Sequence, residues 1–340
     1  PSLVGSEMCI RDRAMTLKKI LVMHTGGTIS MSEDESNKVV ENEENPISKH
    51  HDIIKQYADV TEINPINLPS PHVTIADVVK LRDVIEENSK HDQYDGFVIT
   101  HGTDTLEETA YLLDLITQTD KPIVITGAMR SSNEIGSDGL YNFISALRVA
   151  ASDDSSDKGV MVVFNDEIHT ARNVTKTHTS NTNTFQSPNH GPLGVLTKTS
   201  VQFHHKPYRH KILDKINPKL DVPIVKAYMD MPSDIFLFYS ERAVDGIVVE
   251  ALGQGNLPPT ALKGLMACLD KGIPIILVSR SFNGIVGPIY AYEGGGYDLA
   301  QRGVIFSNGL NGQKARLKLL VAMSNHYDKE QLKAYFDAQV

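Results

Sequence analysis

The sequence predicts an α/β protein in which a larger N-terminal domain with a parallel sheet is joined by a linker to a smaller C-terminal α/β domain. The first observation is that short apolar runs alternate with helical patterns over the first two thirds of the chain. Strands separated by helices favour a parallel sheet. The second observation is that this alternation breaks off in a basic, proline-containing stretch and then resumes. A chain of 340 residues is long enough for two domains.

Four apolar runs predict the buried strands of the first domain. They are KILVMH at 19–24, GFVIT at 96–100, PIVIT at 122–126 and GVMVVF at 159–164. Short apolar runs with turn residues at their ends are typical of strands that are covered on both faces.

Two helices are predicted between these strands. Thr74 is a candidate N-cap because Asp77 follows three residues later. Thr105 opens the other helix, and Glu107 and Glu108 stand in its first turn, where the helix dipole favours negative charge. The apolar positions that recur at helical spacing after Thr74 are Val78, Leu81 and Ile85.

The domain boundaries follow from where these patterns stop and resume. We expect a first domain at 15–205, a linker at 206–222 and a second domain at 223–340. The patterns of the second domain predict strands at 224–227, 246–249 and 274–278, and helices at 259–270, at 313–323 and from 329 onward.

Two polar segments are expected to lie outside the core. Residues 1–14 lack the apolar stretch of a signal peptide and Met15 offers a natural start, so we interpret them as a non-native or mis-called extension. Ser30–Asn45 is acidic and has no apolar periodicity, which indicates a mobile surface loop beginning two residues after Thr28.

Charge and composition argue against several functions. A formal net charge of -9 repels phosphate backbones and anionic lipids, so we expect no nucleic acid and no membrane as a partner. No apolar run reaches the 18 residues typical of a membrane span. The 2 cysteines and 13 histidines show no metal-binding spacing, so we expect no metal and no cofactor.

Thr25-Gly26-Gly27-Thr28 follows the first predicted strand, at the sheet edge where ligands of parallel α/β proteins usually bind. The glycines let the backbone approach a ligand closely, and a hydroxyl held beside free N–H groups could act as a nucleophile. The alternative is an ordinary glycine-rich turn or a phosphate site. The spacing fits neither the P-loop nor the Rossmann fingerprint.

His101-Gly102-Thr103-Asp104-Thr105 lies directly between a predicted strand and a predicted helix. A carboxylate at Asp104 could bind a substrate ammonium group, and the hydroxyl of Thr103 could relay a proton. The alternative is that Asp104 or Thr105 only caps the helix.

Lys176 stands among hydroxyl residues in NVTKTH at 173–178. A lysine in such a segment is usually solvated. The alternative is a desolvated, neutral amine that takes a proton from Thr103, which together with Asp104 would form a relay of the triad kind.

Gly253-Gln254-Gly255-Asn256 follows a predicted strand and could line a pocket, although a plain turn is the more frequent explanation. No G-x-S-x-G is present, so the sequence gives no support to a serine hydrolase site of the α/β-hydrolase kind.

Taken together, these segments resemble the bacterial-type L-asparaginase family from about Lys19 to the C-terminus. The resemblance implies hydrolysis of L-asparagine to L-aspartate and ammonia by an amidohydrolase. The segments that carry it are TGGTIS at 25–30, DGFVITHGTDTLEETAY at 95–111, KPIVITGAMR at 121–130, NVTKTHT at 173–179 and GLNGQKAR at 309–316.

The resemblance implies a role for each of these positions. Thr28 corresponds to the nucleophile that forms an acyl-enzyme, with Gly27 beside it contacting the substrate. Lys176 corresponds to a base acting through Thr103. Asp104 belongs to the same relay and also binds the α-ammonium group. Thr103 likewise contacts the substrate in addition to its catalytic role.

Further positions are implied by the resemblance, with two departures. Ser70 corresponds to the serine that holds the α-carboxylate, but Pro71 replaces a glutamine, so one substrate contact is lost or replaced. Asn256 and Glu293 fall where the family places residues that reach a neighbouring subunit's site. The family's tyrosine after the nucleophile has no counterpart before Tyr57.

The resemblance points to the cytoplasmic (type I) branch, and therefore to a cytoplasmic homodimer or homotetramer. Three other readings stay open at the level of sequence. They are a glutaminase-asparaginase or related amidohydrolase on the same fold, a binding or sensor protein without catalysis, and a nucleotide-binding protein.

Overall fold

Two large sheets and two antiparallel strand pairs organise residues 16–337, the part of the chain that this computed structural model describes. The predicted extension at 1–14 lies outside the described residues. The strands are β1 (Lys19–His24), β2 (Met31–Glu33), β3 (Val39–Glu41), β4 (Asp59–Ile63), β5 (Gly96–Thr100), β6 (Ile123–Thr126), β7 (Val160–Phe164), β8 (Glu167–Thr170), β9 (Thr175–Lys176), β10 (Phe185–Gln186), β11 (Gly194–Leu196), β12 (Val201–Phe203), β13 (Ile224–Lys226), β14 (Ile247–Ala251), β15 (Ile275–Ser279) and β16 (Ile305–Phe306). The helices are α1 (His51–Ile54), α2 (Ile75–Lys90), α3 (Leu106–Ile116), α4 (Gly139–Ala150), α5 (Asp234–Arg242), α6 (Leu262–Asp270), α7 (Gly296–Arg302), α8 (Gly312–Ser324) and α9 (Lys329–Asp337). The two antiparallel pairs are β2 with β3 and β9 with β10.

The larger sheet has eight strands in the order β12-β11-β8-β7-β6-β5-β1-β4. The five strands from β7 to β4 pair in parallel, which confirms the predicted fold class. The other three join antiparallel, an extension that the sequence analysis did not predict. Its cause is the tight turn between β7 and β8, where Asn165 and Asp166 both adopt positive φ angles, as a two-residue hairpin requires.

Helices cover both faces of this sheet. Alternate residues of β1 point to opposite sides, as the strand period of two requires. Leu21 and Met23 pack with α2 and α3, whereas Ile20 and Val22 pack with α4. The capping box predicted for α2 is present, since Asp77 N donates to Thr74 Oγ1 over 3.2 Å.

The smaller sheet consists of β13, β14, β15 and β16, all parallel. Helices α5 and α6 cover one face, and α8 with α9 cover the other. Helix α8 also packs against α3 of the first domain through Leu317 and Val321. This helix therefore forms the main contact between the two halves.

Two predicted segments differ in the structure. Ser30–Asn45, expected to be a loop, contains the hairpin of β2 and β3, and Ser132 N donates to Met31 O over 3.0 Å to hold the hairpin against the segment after β6. The apolar pattern weakens from Val201 onward, and the edge strand β12 was therefore not predicted. Residues 204–223 then form neither helix nor strand.

None of the helices within residues 16–337 combines the length and the apolar character that crossing a bilayer demands.

Candidate active site

Three loops meet at the carboxyl end of the large sheet with their backbones in direct contact. Thr25 N donates to Thr100 O over 3.1 Å, and Leu68 N donates to Thr25 O over 2.9 Å. A Cβ atom on Gly27 would lie 2.3 Å from Gly102 Cα, and a Cβ on Gly102 would lie 2.7 Å from Ser70 Cβ. Only glycine permits this spacing, and Gly27 also has a φ of 86°.

Thr28 follows Gly27 directly and opens a single 3-10 turn that ends at Ser30. The turn is fixed by Ser30, whose hydroxyl donates to Gly27 O over 2.8 Å. The N–H group of Thr28 has no partner inside the turn because it stands at the first position. Its half-buried hydroxyl forms no hydrogen bond with any of residues 16–337. The structure thus leaves both groups of Thr28 available to a ligand.

Lys176 brings together the residues predicted to form a relay. Its ammonium group lies 3.0 Å from Thr103 Oγ1 and 2.7 Å from Asp104 Oδ1. The lysine side chain is only 15% exposed, whereas that of Asp104 is 61% exposed. A lysine in this position is therefore not the solvated surface residue that its sequence context alone would suggest.

Ser70 connects this group to the third loop. Its hydroxyl is buried and accepts a hydrogen bond from Asp104 N over 3.1 Å. Thr105 stands at the N-cap position of α3, but its hydroxyl donates to Ser70 O over 2.8 Å and caps no helix N–H. The backbone N–H of Asp104 donates to Ser70, and its side chain accepts from Lys176. Neither residue therefore caps the helix, and the capping alternative is wrong for both.

Glu107 contacts the candidate site, a placement that the sequence analysis did not predict. Its buried carboxylate accepts hydrogen bonds from Thr175 Oγ1 (3.0 Å), Lys176 N (3.2 Å) and Asn311 Nδ2 (2.9 Å). Lys314 Nζ lies 3.7 Å from the same carboxylate. Burial lowers the pKa of Lys314 to about 8, an effect that the Glu107 charge opposes. Glu107 therefore holds the backbone of Lys176 against α3 and α8.

The available signal for Glu107 was the composition of its helix. The segment LEETAYLLDLI is apolar at seven of its eleven positions, which predicts a largely buried helix whose first-turn carboxylates face either the core or the loops above it. The position of Glu107 in the first turn predicts only a favourable interaction with the helix dipole.

His101 stabilises the loop that carries Thr103 through two hydrogen bonds of its ring. It is fully buried, its Nδ1 lies 2.7 Å from Gly102 O and its Nε2 lies 2.8 Å from Thr109 Oγ1. Nδ1 therefore carries the proton, and Nε2 accepts from the threonine. Burial lowers the pKa of His101 to about 4, so the ring is neutral at physiological pH.

Asn256 and Glu293 do not join this group within one chain. Asn256 Oδ1 accepts from Gly296 N over 3.0 Å, and Glu293 is exposed on the loop before α7. Neither residue hydrogen-bonds Thr28 or Ser70 within the described part of the chain.

A cavity of about 300 Å³ lies between the two halves of the chain, and Lys176 is among the residues that line it. Its walls include Thr175, Glu250 and Arg280, but not Thr28 or Thr103. Of the site residues that the sequence analysis predicts, only Lys176 lines this cavity, whereas Thr28, Ser70, Thr103 and Asp104 do not. Across residues 16–337, His, Cys, Asp and Glu side chains form no cluster of three that could hold a metal.

Two family models match the chain, one in each half. The model described as "Asparaginase, N-terminal" matches residues 19–209, and the model described as "Glutaminase/Asparaginase C-terminal domain" matches residues 221–336.

Individual relatives match over nearly the full length. An L-asparaginase of Bacillus licheniformis is 34% identical over 320 residues, which are 94% of this chain and 99% of that protein. A probable L-asparaginase of Deinococcus radiodurans is 36% identical over 325 residues, covering 94% of this chain and 98% of that protein. The crystal structure of a probable cytoplasmic L-asparaginase from Campylobacter jejuni matches with a TM-score of 0.84 at 31% identity, covering 94% of this chain and 99% of that chain. Because both halves and the order of their elements match, the chain belongs to the bacterial L-asparaginase family.

Proposed function

We propose that this chain hydrolyses the side-chain amide of L-asparagine, releasing L-aspartate and ammonia. The observation that carries the proposal is the contact of Lys176 with Thr103 and Asp104, beside a loop that presents the unbonded hydroxyl of Thr28. The relatives that match over nearly the full length, an L-asparaginase and a probable L-asparaginase, support the same substrate.

In the first step, the hydroxyl of Thr28 attacks the carbon of the substrate's side-chain amide. The bond to nitrogen breaks, the nitrogen takes the hydroxyl proton and leaves as ammonia, and an ester joins the aspartyl group to Thr28. An amide is a poor electrophile, so the developing oxyanion needs donors. The N–H group of Thr28, which has no partner within its 3-10 turn, is one such donor.

In the second step, a water molecule attacks the ester, and Thr28 leaves with a proton as the aspartate carboxylate forms. We assign the activation of this water to Thr103, with Lys176 as the base that accepts the threonine proton. Their separation of 3.0 Å is within the reach that proton transfer requires. Asp104, at 2.7 Å from the same amine, stabilises the lysine when it is protonated.

Two groups are suited to the charged ends of the substrate. The exposed carboxylate of Asp104 is available to pair with the α-ammonium group. Ser70, 3.1 Å from Asp104 N through its hydroxyl, is close enough to bind the α-carboxylate of the same molecule. Gly27, which has no side chain to block a ligand, completes the proposed binding site. Pro71 has no side-chain donor, so the contact made by a glutamine in the family is absent from this position.

We further propose that the active enzyme is a cytoplasmic homodimer or homotetramer in which Asn256 and Glu293 reach a neighbouring subunit's site. The loop that carries Glu293 exposes apolar side chains that a monomer would leave in water, among them Ile289 at 65% and Tyr292 at 56%. The cytoplasmic assignment draws on the Campylobacter jejuni protein described above.

The direct test is the release of ammonia from L-asparagine by the purified protein, with L-glutamine as the comparison substrate. We expect kcat/KM for L-asparagine to exceed that for L-glutamine by at least about tenfold, because one extra methylene displaces the amide from a site of fixed length. Equal values would identify a glutaminase-asparaginase instead. An absence of ammonia from both would contradict the proposal.

A further inference from the structure

A second cavity, of about 420 Å³, lies where the two domains and the connecting segment meet. Tyr111 of α3 forms one wall, Tyr208 and Lys211 of the connecting segment form another, and Lys318 of α8 and Tyr335 of α9 complete it. None of the side chains that we assign to catalysis lines this cavity.

Lys318 is the most unusual of the lining residues. It is 6% exposed, yet its ammonium group makes no hydrogen bond or ion pair with any residue from 16 to 337. The group lies 4.6 Å from the ring centroid of Tyr335 and 5.1 Å from that of Phe336. Burial without a carboxylate partner lowers the pKa of Lys318 to about 7. Buried charges are normally paired, so the position lacks a counter-ion.

Two further donors at the same cavity have no partner. Arg172 Nε and Tyr335 Oη are both buried and form no hydrogen bond within the described residues. Arg172 is held through its other nitrogen, since Nη2 donates to Asn308 O over 3.3 Å. An unsatisfied buried donor usually indicates a missing water or ligand. Here the residues that carry these two donors line the same cavity as Lys318, whose ammonium group is unpaired within the described residues.

The charge and shape of the walls narrow the class of ligand. Arg172, Lys211 and Lys318 supply positive charge, and no Asp or Glu side chain lines the cavity. His210 also faces it but is already bonded, with Nε2 3.0 Å from Asp114 O. The remaining surface is mostly aromatic. It is formed by Tyr111, Tyr208, Tyr327 and Tyr335.

We propose that this cavity binds a small organic anion with a flat apolar body, of the chemical class of an aromatic carboxylate. The carboxylate would be the counter-ion of Lys318 and accept from the two unpartnered donors, while the tyrosine rings pack against the body. A zwitterionic amino acid such as asparagine fits poorly, because no carboxylate in the walls would pair with its ammonium group.

The position of the cavity connects it to the catalytic segment. Lys318 lies one helical turn after Lys314, and Lys314 Nζ donates to Arg172 O over 3.1 Å. Lys176 lies four residues after Arg172. A ligand that holds Arg172 and Lys318 together would therefore fix α8 against the segment that carries the catalytic lysine.

The test is calorimetric titration of the full-length protein with benzoate, with benzamide as the neutral analogue and inorganic phosphate as the anion without an apolar body. We expect one benzoate per chain, and binding of benzamide and of phosphate to be at least about tenfold weaker. Lys318→Met should weaken benzoate by at least about tenfold, whereas Lys333→Met, an exposed lysine on α9, should leave it unchanged.

Tyr335→Phe removes only a hydroxyl and gives a second test if Lys318→Met fails to fold. We expect it to weaken benzoate by about threefold to tenfold. Equal benzoate binding to wild type and to both variants would overturn the proposal, as would an absence of binding to the wild type at 10 mM, roughly the weakest affinity that would still register as a specific site. Phosphate binding as tight as benzoate would overturn the assignment of an apolar body.

Discussion

At the scale of single residues, the contact between Lys176 and Thr103 joins positions that are 73 apart in the sequence. The local sequence predicted the right residue types at strand ends, because strand ends and glycine turns are short-range features. It could not predict that Lys176 is largely buried, since that depends on β9 folding over the start of α3. The local sequence offered this pairing only as an alternative to a solvated lysine, and the family resemblance favoured it.

Thr103→Val is expected to lower kcat for L-asparagine by at least about 10²-fold, because it removes the hydroxyl through which we propose that Lys176 acts and keeps the side-chain shape. Steady-state ammonia release measures the change, and an unaltered melting temperature is the control for folding. Turnover within a few-fold of wild type would show that Thr103 is not part of the relay.

His101 gives a prediction for pH dependence. Its pKa of about 4 in the folded protein lies below the ordinary 6.5, so the unfolded chain binds more protons between these values. Stability is therefore expected to fall as pH decreases from 6.5 to 4, by about 3 kcal/mol from this residue. His101→Asn can still donate to Gly102 O, and the slope of its unfolding free energy against pH should be shallower over that range. An identical slope for the two proteins would contradict the assignment.

At the scale of secondary structure, strands with a continuous apolar run were predictable from the sequence, and short strands with a mixed apolar and polar pattern were not. The strands at 19–24 and 96–100 were predicted with their observed bounds, because both are apolar and end at polar or glycine residues. The antiparallel strands β8, β11 and β12 were missed, since each has only three or four residues. The hairpin of β2 and β3 was missed because contacts with the segment after β6, rather than an apolar face, hold it in place.

The prediction at the scale of secondary structure concerns Glu107, at the start of α3. Replacing Glu107 with Ala removes the acceptor for Thr175 Oγ1 and Lys176 N, so we expect kcat to fall about tenfold or more while KM changes less. Glu107→Gln keeps a carbonyl oxygen at that position and should recover part of the loss. Glu108→Gln is the matched control, since the same helix turn carries it. Equal losses in the Gln and Ala variants would argue against a positioning role.

At the scale of the whole molecule, α8 connects the two domains and the family models cover both. The two-domain α/β class was predictable, because the alternation of strands and helices is interrupted once and resumes. The proposed contacts of Asn256 and Glu293 with a neighbouring subunit rest on the family resemblance, since neither residue hydrogen-bonds Thr28 within the described part of the single chain.

Self-association can be tested on the loop that carries Glu293. Ile289→Glu places a charge on a side chain that is 65% exposed in one chain, and we expect it to reduce both the molar mass in solution and the activity. Light scattering after gel filtration measures the mass. Ile53→Glu, an exposed isoleucine on α1 of the other domain, is the control. A fully active monomer would contradict a site shared between subunits.

The measurement that most directly tests Thr28 as the nucleophile is kcat for L-asparagine in Thr28→Ala, with Thr28→Ser as the variant that restores a hydroxyl. We predict a loss of at least about 10²-fold for Thr28→Ala and a partial recovery for Thr28→Ser, with both proteins folded as the wild type. Near wild-type turnover by Thr28→Ala would contradict the central claim that this threonine is the nucleophile.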